Sequence, residues 1–133
     1  MALLKDFDYV FLCLDENEIR FLCSNYLSSN NIPFTDVGLG VYLHKNQLLG
    51  TIRVTSSTEF KNDHLKSQIP KTNEEDNNEY STNIQIAELN CLNATLAVLQ
   101  WKKYFGFYQD LKKNNSIAYT INDSNLVNGD YET

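Results

Sequence analysis

The sequence has few basic residues. Lysine and arginine together number 11 against 17 acidic residues, so the net charge is −6. Proteins that bind nucleic acid or an anionic membrane need clustered lysine and arginine to meet the phosphates. Here the basic residues are scattered, apart from the pairs at 102–103 and 112–113. We therefore expect neither nucleic acid nor a membrane among the partners of this protein.

Cysteine and long apolar runs are also scarce. The three cysteines, Cys13, Cys23 and Cys91, form neither a Cys-x-x-Cys motif nor an even set of disulfide partners. Each stands among apolar residues, where a cysteine usually serves as a small buried hydrophobic residue. A chain without a disulfide framework is typical of a reducing compartment, and no signal peptide or membrane-length apolar run is recognisable. These absences predict a cytoplasmic protein.

The chain does contain enough apolar material for a core. Apolar residues make up 42% of its 133 residues, which is too many for a disordered chain, and this length fits one domain. The exception is the stretch 56–83, which is rich in Ser, Thr, Asn, Lys and Glu. A polar stretch of that length is usually a mobile or functional loop. We therefore expect a single α/β domain, 1–133, with one polar loop at 56–83.

The first part of the sequence predicts a strand, a helix and a second strand. The run 8–14 (DYVFLCL) is continuously apolar after its first residue, which is typical of a strand buried on both faces of a parallel sheet. Five apolar residues then recur at the spacing of one helix face: Ile19, Leu22, Cys23, Tyr26 and Leu27. Asp15 and Glu18 have the spacing of a capping box that would start this helix. With a strand at 32–38, these elements predict a parallel βαβ unit.

The rest of the chain predicts an antiparallel strand and a helix. Segment 48–55 (LLGTIRVT) predicts a strand that is reached through a loop too short for a helical crossover, so it should be antiparallel. Segment 84–108 predicts a helix that is apolar on two faces and must be covered on both. One face comprises Ala87, Cys91, Ala94, Val98, Trp101 and Phe105, and the other Leu89, Leu92, Leu96 and Leu99. Weaker strands are predicted at 117–121 and 126–127.

Chemistry has one candidate position. Asp15 stands at the carboxyl end of a predicted parallel strand, where open α/β sheets bind ligands. It is either a carboxylate that holds a metal–nucleotide complex or the N-cap of the following helix. His44 and His64 have no partner at metal-ligand spacing and are predicted to lie at the surface. Segment 38–40 (GLG) lacks the third glycine of a phosphate-binding motif and is predicted to be a turn.

The aromatic residues near the end of the predicted helix allow two interpretations. Five of them fall within 101–108: Trp101, Tyr104, Phe105, Phe107 and Tyr108. They are either a binding platform or, as their helical spacing favours, part of the core or of an interface. Composition and spacing thus lead to an α/β domain without a complete active site of its own.

The order of several segments carries a resemblance. Segment 7–15 (FDYVFLCLD) is followed by Arg20, then by 32–40 (IPFTDVGLG), 49–54 (LGTIRV) and the helical segment 84–108. In this order they resemble the C-terminal half of the ThiF and MoeB proteins, the ubiquitin-activating-enzyme-like adenylyltransferases. The resemblance implies a three-layer, Rossmann-like partial fold, with a mixed sheet that contains a parallel βαβ unit and an antiparallel strand, and with a long C-terminal helix.

Enzymes of this family use magnesium and ATP to adenylate the C-terminal carboxylate of a ubiquitin-like or sulfur-carrier protein. The resemblance implies that Asp15 helps to hold magnesium and ATP, because it occupies the position of the family aspartate. It also implies that the polar stretch 56–83 is the crossover loop under which the tail of the carrier protein passes.

The sequence departs from the family before the matched segments. The family's glycine-rich nucleotide loop, ribose-binding acid and phosphate-contacting Arg and Lys all precede the segment that matches 8–14. The zinc-binding cysteine pairs are absent as well, so we expect no zinc and no catalytic residue. The chain is then either a truncated enzyme half that a separate N-terminal half completes, or a non-catalytic binding module, a pseudoenzyme that keeps the carrier-docking surface. In both cases we expect a homodimer, or that other half, to cover the leucine face or the aromatic residues at 101–108.

Overall fold

Five strands and two α-helices make up the computed structural model, which describes residues 1–59 and 84–129. The sheet has the order β1-β2-β3-β4-β5. A short 3-10 helix at Ala2–Asp6 precedes β1 (Val10–Leu12), α1 (Asn17–Ser29), β2 (Phe34–His44), β3 (Gln47–Ser57), α2 (Ala87–Tyr104), β4 (Ser116–Thr120) and β5 (Asn125–Asn128). Neither helix in these ranges is long and apolar enough to cross a membrane.

The sheet is mixed. β1 and β2 are parallel, with Val10 opposite Phe34 and Leu12 opposite Asp36, and α1 connects them. All other neighbouring strands are antiparallel. The predicted βαβ unit and the antiparallel strand that follows it are therefore confirmed, as are the two weak strands near the end of the chain. Most of the predicted loop at 56–83 lies outside the described residues, but its first two residues belong to β3 and are buried.

A hairpin joins β2 to β3 and corrects one prediction. The chain reverses at Lys45 and Asn46, both with positive φ, as a tight two-residue hairpin turn requires. Segment 38–40 is not a turn. It lies within β2, where Gly38 pairs with Arg53 and Gly40 with Thr51. The two strands approach closely beyond it, and a Cβ atom on Gly50 would lie 2.2 Å from the carbonyl oxygen of Gly40.

The two helices pack on opposite faces of the sheet. Side chains alternate between these faces along each strand, so each helix packs on its own set of side chains. The face that carries α1 buries one apolar cluster: Leu12, Leu27, Ile32 and Phe34. The face that carries α2 buries two: Val41, Ile52 and Leu89, and Val54, Ala97 and Ile117. Along β2 and β3, Asp36 and Arg53 alternate with residues that face α2, so both side chains point to the face that carries α1.

Helix α1 starts later than predicted and turns a different face inward. It begins at Asn17 with Glu16 as its N-cap, so the predicted capping box of Asp15 and Glu18 is one residue out of register with the helix. Leu27 is buried as predicted, but Ile19 and Leu22 are exposed. The buried positions include Arg20 instead, because the carboxylate of Asp36 lies beneath this face of the helix.

Helix α2 spans Ala87–Tyr104, inside the predicted range 84–108. It rests on the sheet through a line of residues that mixes apolar and amide side chains: Leu89, Asn93, Ala97 and Gln100. Leu89 and, in part, Leu96 therefore belong to the core, whereas Val98, Trp101 and Phe105 of the other predicted face are exposed.

Of the cysteines, Cys13 and Cys91 are exposed and Cys23 is half-buried, so the prediction of buried cysteines was wrong for the first two.

Candidate functional site

Asp15 lies where the sequence predicted, just beyond the carboxyl end of a parallel strand. β1 ends at Leu12 and α1 begins at Asn17, and Asp15 is exposed between them. Within residues 1–59 and 84–129, no group of three or more His, Cys, Asp or Glu side chains could hold a metal ion. Mg²⁺ is commonly bound through one or two carboxylates together with substrate phosphates. Asp15 can therefore supply one ligand to a magnesium ion that arrives with a nucleotide, but it does not form a metal centre.

Of the two histidines, His44 adds no ligand to this position. His44 is exposed at the end of β2, next to the hairpin turn. His64 falls outside the described residues.

A buried ionic cluster lies beside this position and consists of Arg20, Asp36 and Arg53. Asp36 is fully buried and is the β2 partner of Leu12, the last residue of β1. Arg20 donates from Nε to Oδ1 at 3.0 Å and from Nη2 to Oδ2 at 2.5 Å. Arg53 donates from Nη2 to the same Oδ2 at 3.2 Å. One carboxylate thus joins α1, β2 and β3 at the point where β1 ends.

A glycine makes room for the two guanidinium groups. Gly38 is the β2 partner of Arg53. A Cβ atom at this position would lie 2.7 Å from Nη2 of Arg53 and 3.2 Å from Nη2 of Arg20. The absence of a side chain at Gly38 therefore allows both arginines to reach Asp36 across the same strand.

Neighbouring groups accept the remaining hydrogen bonds of Arg20. Its Nη1 donates to Oδ1 of Asn17 at 3.1 Å, and its Nη2 donates to the carbonyl oxygen of Val37 at 3.2 Å. Arg53 donates from Nη1 to Oγ1 of Thr55 at 3.1 Å. Burial lowers the pKa of Arg53, an effect that Asp36 opposes and Arg20 reinforces. The direction shows that the cationic form of Arg53 is poorly solvated inside the fold.

The thiol of Cys13, which is affected by the charge of Asp36, is not activated. Cys13 follows β1 directly. Burial and, to a smaller degree, the negative charge of Asp36 raise the pKa of the Cys13 thiol. A nucleophilic cysteine needs a lowered pKa so that the thiolate forms near neutral pH. Cys13 is therefore a poor nucleophile in this arrangement.

The opposite face of the sheet carries an aromatic surface, which comprises Tyr9, Phe11, Trp101, Tyr104 and Phe105. The Tyr9 ring lies 5.4 Å from Phe11 and 5.6 Å from Tyr104, and the Trp101 ring lies 6.1 Å from Phe11. Phe11, Trp101 and Phe105 are 39%, 36% and 54% exposed. These rings pack on one another at the surface, so the core interpretation of this cluster is wrong. The interpretations as a binding platform and as an interface both stay predictions.

Beneath the aromatic surface, Tyr9 begins a chain of hydroxyl groups. Its hydroxyl shares a hydrogen bond of 2.5 Å with Oγ1 of Thr35, which in turn lies 2.9 Å from Oγ of Ser56. Burial raises the pKa of Tyr9 in spite of these hydrogen bonds. Tyr9 is therefore held as the neutral phenol, and it anchors the aromatic surface to β2 and β3.

β1 lies at one end of the sheet and is flanked by exposed apolar residues. Among the described strands it pairs with β2 alone. The N–H of Val10 bonds to the carbonyl of Pro33, and alternate residues of a strand point their backbone groups to opposite sides, so those of Phe11 point away from β2. Leu3, Phe7 and Leu14 are also exposed near this strand. Exposed strand edges with apolar surroundings are typical of interaction sites.

Asp36 and Arg53 are the site residues that the sequence analysis did not single out. Each is the one aspartate, glutamate, lysine or arginine of its strand, in the segments PFTDVG and GTIRVT. A charged residue is rarely buried without a partner, so these two isolated charges could have been predicted to pair with each other.

Comparison of the sequence with protein-family models and with curated proteins gave no match.

Proposed function

We propose that this chain is the C-terminal half of a ThiF-type adenylyltransferase, with a Rossmann-like arrangement of its first elements. One observation carries the proposal: Asp15 lies at the carboxyl end of parallel β1, directly before a helix whose Arg20 is tied to β2 through Asp36. This is the position in which open α/β sheets hold nucleotides. The antiparallel hairpin that follows supports the same proposal, because the resemblance predicts that order of elements.

In this proposal the chain contributes positioning and docking rather than complete catalysis. Phosphoryl and nucleotidyl chemistry depends on several groups that neutralise phosphate charge. Asp15 is the carboxylate that this chain offers to a magnesium–ATP complex, and the phosphate-binding loop would come from a separate N-terminal half. The carrier protein, ubiquitin-like or sulfur-carrying, would present its C-terminal carboxylate next to Asp15.

The edge of β1 and the aromatic surface fit the docking of another protein. A strand added to β1 would pair with the outward backbone groups of Phe11, and the same partner would cover Trp101 and Phe105. We propose a homodimer or the separate N-terminal half as this partner. The leucine face of α2 is the weaker candidate, because Leu89 is buried against the sheet.

A second function has its own support. In this second function the chain is a non-catalytic binding module. The aromatic surface binds the partner protein, and Asp15 takes no part in catalysis. The support for this function is the aromatic surface itself, in which the partly exposed rings of Phe11, Trp101 and Phe105 pack on one another at the surface. Both functions keep the docking of a carrier protein and differ in nucleotide chemistry.

Exchange of labelled pyrophosphate into ATP separates the two functions. The chain alone should give no exchange with any carrier protein, and adding an N-terminal half that bears a glycine-rich nucleotide loop should restore it. Asp15→Asn should abolish the restored exchange, while Asp123→Asn, an exposed aspartate in the turn before β5, should not. Exchange by the isolated chain that Asp15→Asn removes would show that it is already a complete enzyme.

Carrier binding tests the docking that both functions share. Calorimetric titration should detect binding of a carrier protein with a free C-terminal carboxylate and weaker binding of the same carrier with an amidated C terminus. Absence of binding across a panel of ubiquitin-like and sulfur-carrier proteins would contradict the proposal, with or without the N-terminal half.

A further inference from the structure

The charges of the ionic cluster do not balance. Two guanidinium groups share the single carboxylate of Asp36, which leaves one positive charge in excess within the cluster. Arg20 engages most of its N–H donors with Asp36, Asn17 and Val37. Within the described part of the chain, Arg53 donates only to Asp36 and Thr55. The excess charge is therefore centred on Arg53.

Arg53 can be reached from solvent, in contrast to its partners. Its side chain is 19% exposed, against 7% for Arg20 and 0% for Asp36. A partly buried guanidinium loses much of its hydration, and burial indeed lowers the pKa of Arg53. A second anion at this position would restore the balance of charge that Asp36 alone does not provide.

The surroundings of Arg53 are small and rich in hydroxyl groups. Arg53 pairs with Gly38 on β2, which has no side chain, and with Ala118 on β4, whose side chain is a single methyl group. Four hydroxyl residues share its face of β3 and β4, because their positions alternate with the apolar ones: Thr51, Thr55, Ser116 and Thr120. Thr55 and Ser116 are buried, so this face differs from an ordinary solvent-exposed sheet surface.

We propose that Arg53, together with the hydroxyl groups around it, binds an oxyanion, either a phosphate group or a carboxylate. The planar fork of a guanidinium donates two parallel hydrogen bonds to either group. Hydroxyl groups donate further hydrogen bonds to the same oxygens. The hydrogen bond to Asp36 holds Arg53 in place, and the absence of a side chain at Gly38 leaves room for the guanidinium next to β2. The site stands whether or not the chain belongs to a two-part adenylyltransferase.

Titration with inorganic phosphate and with acetate, at constant ionic strength, tests the site. The probe is the Nε–H resonance of Arg53 in a nitrogen–proton correlation spectrum, assigned with Arg53→Lys. We expect a saturable shift with at least one of the two anions. Saturation with phosphate alone identifies a phosphate group as the ligand, and saturation with acetate alone identifies a carboxylate. A linear drift, equal to that produced by sodium chloride, would overturn the proposal.

Two variants provide the second measurement. Arg53→Gln removes the excess charge, and anion binding should weaken by about tenfold or more because charge-assisted hydrogen bonds are lost. Lys112→Gln removes one exposed positive charge outside the cluster and should leave binding unchanged. Equal affinities for wild type and Arg53→Gln would place the anion elsewhere. Should Arg53→Gln fail to fold, the resonance of wild-type Arg53 still decides between the outcomes.

Discussion

Substitution of Asp36 by asparagine should destabilise the protein more than any surface substitution. Asp36→Asn keeps the size of the side chain but leaves Arg20 and Arg53 without a counter-charge. Arg20 has only 7% of its side chain exposed, so water cannot replace the lost carboxylate. Removal of one partner from a buried ion pair costs about 3–5 kcal/mol, and we expect the free energy of unfolding to fall by about that amount.

Urea denaturation measures this change. A domain of this size loses about 1–3 kcal/mol of stability per molar urea, so the midpoint for Asp36→Asn should fall by at least about 1 M. Asp123→Asn is the matched control, since Asp123 is exposed and a surface change should stay within about 0.5 kcal/mol. The total stability of such a domain is about 5–15 kcal/mol, so the variant should fold, although with a narrow margin.

A double variant shows whether charge is the cause. Adding Arg20→Gln to Asp36→Asn removes the most buried of the uncompensated charges, and part of the lost stability should return. The coupling energy between the two positions should be about 0.5–3 kcal/mol. If Asp36→Asn resembles the surface control, or if the double variant is simply the sum of two losses, the charges of the cluster do not act as we describe.

Three further outcomes are expected. Burial raises the pKa of Tyr9, so the stability that the neutral phenol contributes is complete below about pH 10 and is lost as the pH rises through the folded-state pKa. Tyr9→Phe should therefore flatten the fall of stability with alkaline pH, measured by urea denaturation at several pH values. An unchanged slope would contradict this. Gly50→Ala should cost about 1–3 kcal/mol or more, because its Cβ would meet the carbonyl oxygen of Gly40 at 2.2 Å; a neutral effect would mean that the strands separate easily. Trp101→Ser should weaken self-association in light scattering at micromolar concentration, whereas a wild-type monomer would exclude the homodimer.

The sequence carries the order of the elements because each strand has a local pattern. β1 could be recognised from a continuous apolar run, and β3 from the alternation around Ile52. The error at segment 38–40 has a physical cause. Glycines suggest a turn when only neighbouring residues are considered, but here Gly38 and Gly40 face Arg53 and Thr51 across a continuous ladder. The pairing of β2 with β3 therefore overrides a local preference.

The orientation of α2 could not be read from its sequence for a different reason. Both of its faces are apolar, so the spacing alone does not show which one meets the sheet. The face that packs on the sheet contains Asn93 and Gln100, and Nδ2 of Asn93 donates to the carbonyl oxygen of Gly38 at 3.1 Å. This contact joins residues 55 positions apart in the sequence, so no local sequence pattern predicts it.

The ionic cluster depends on the assembled fold in the same way. Asp36 and Arg53 lie 17 positions apart in sequence and meet only because the hairpin sets their register. Arg20 joins them from the helix between β1 and β2. Sequence analysis could mark each as an isolated charge, but it could not show that a single carboxylate would serve two arginines.

The aromatic surface is too small to hold a partner by itself, and this constrains what the partner must be. Full burial of a large apolar side chain is worth about 1.5–3 kcal/mol, and Phe11, Trp101 and Phe105 are already roughly half covered. Together they can add about 2–4 kcal/mol, whereas association costs about 4–15 kcal/mol of lost motion. A stable partner therefore needs a second source of binding energy, and the outward backbone groups of Phe11 at the edge of β1 lie next to these rings. A protein that adds a strand there, either a second copy or a separate N-terminal half, gains both contributions, while one that touches only the rings should bind weakly.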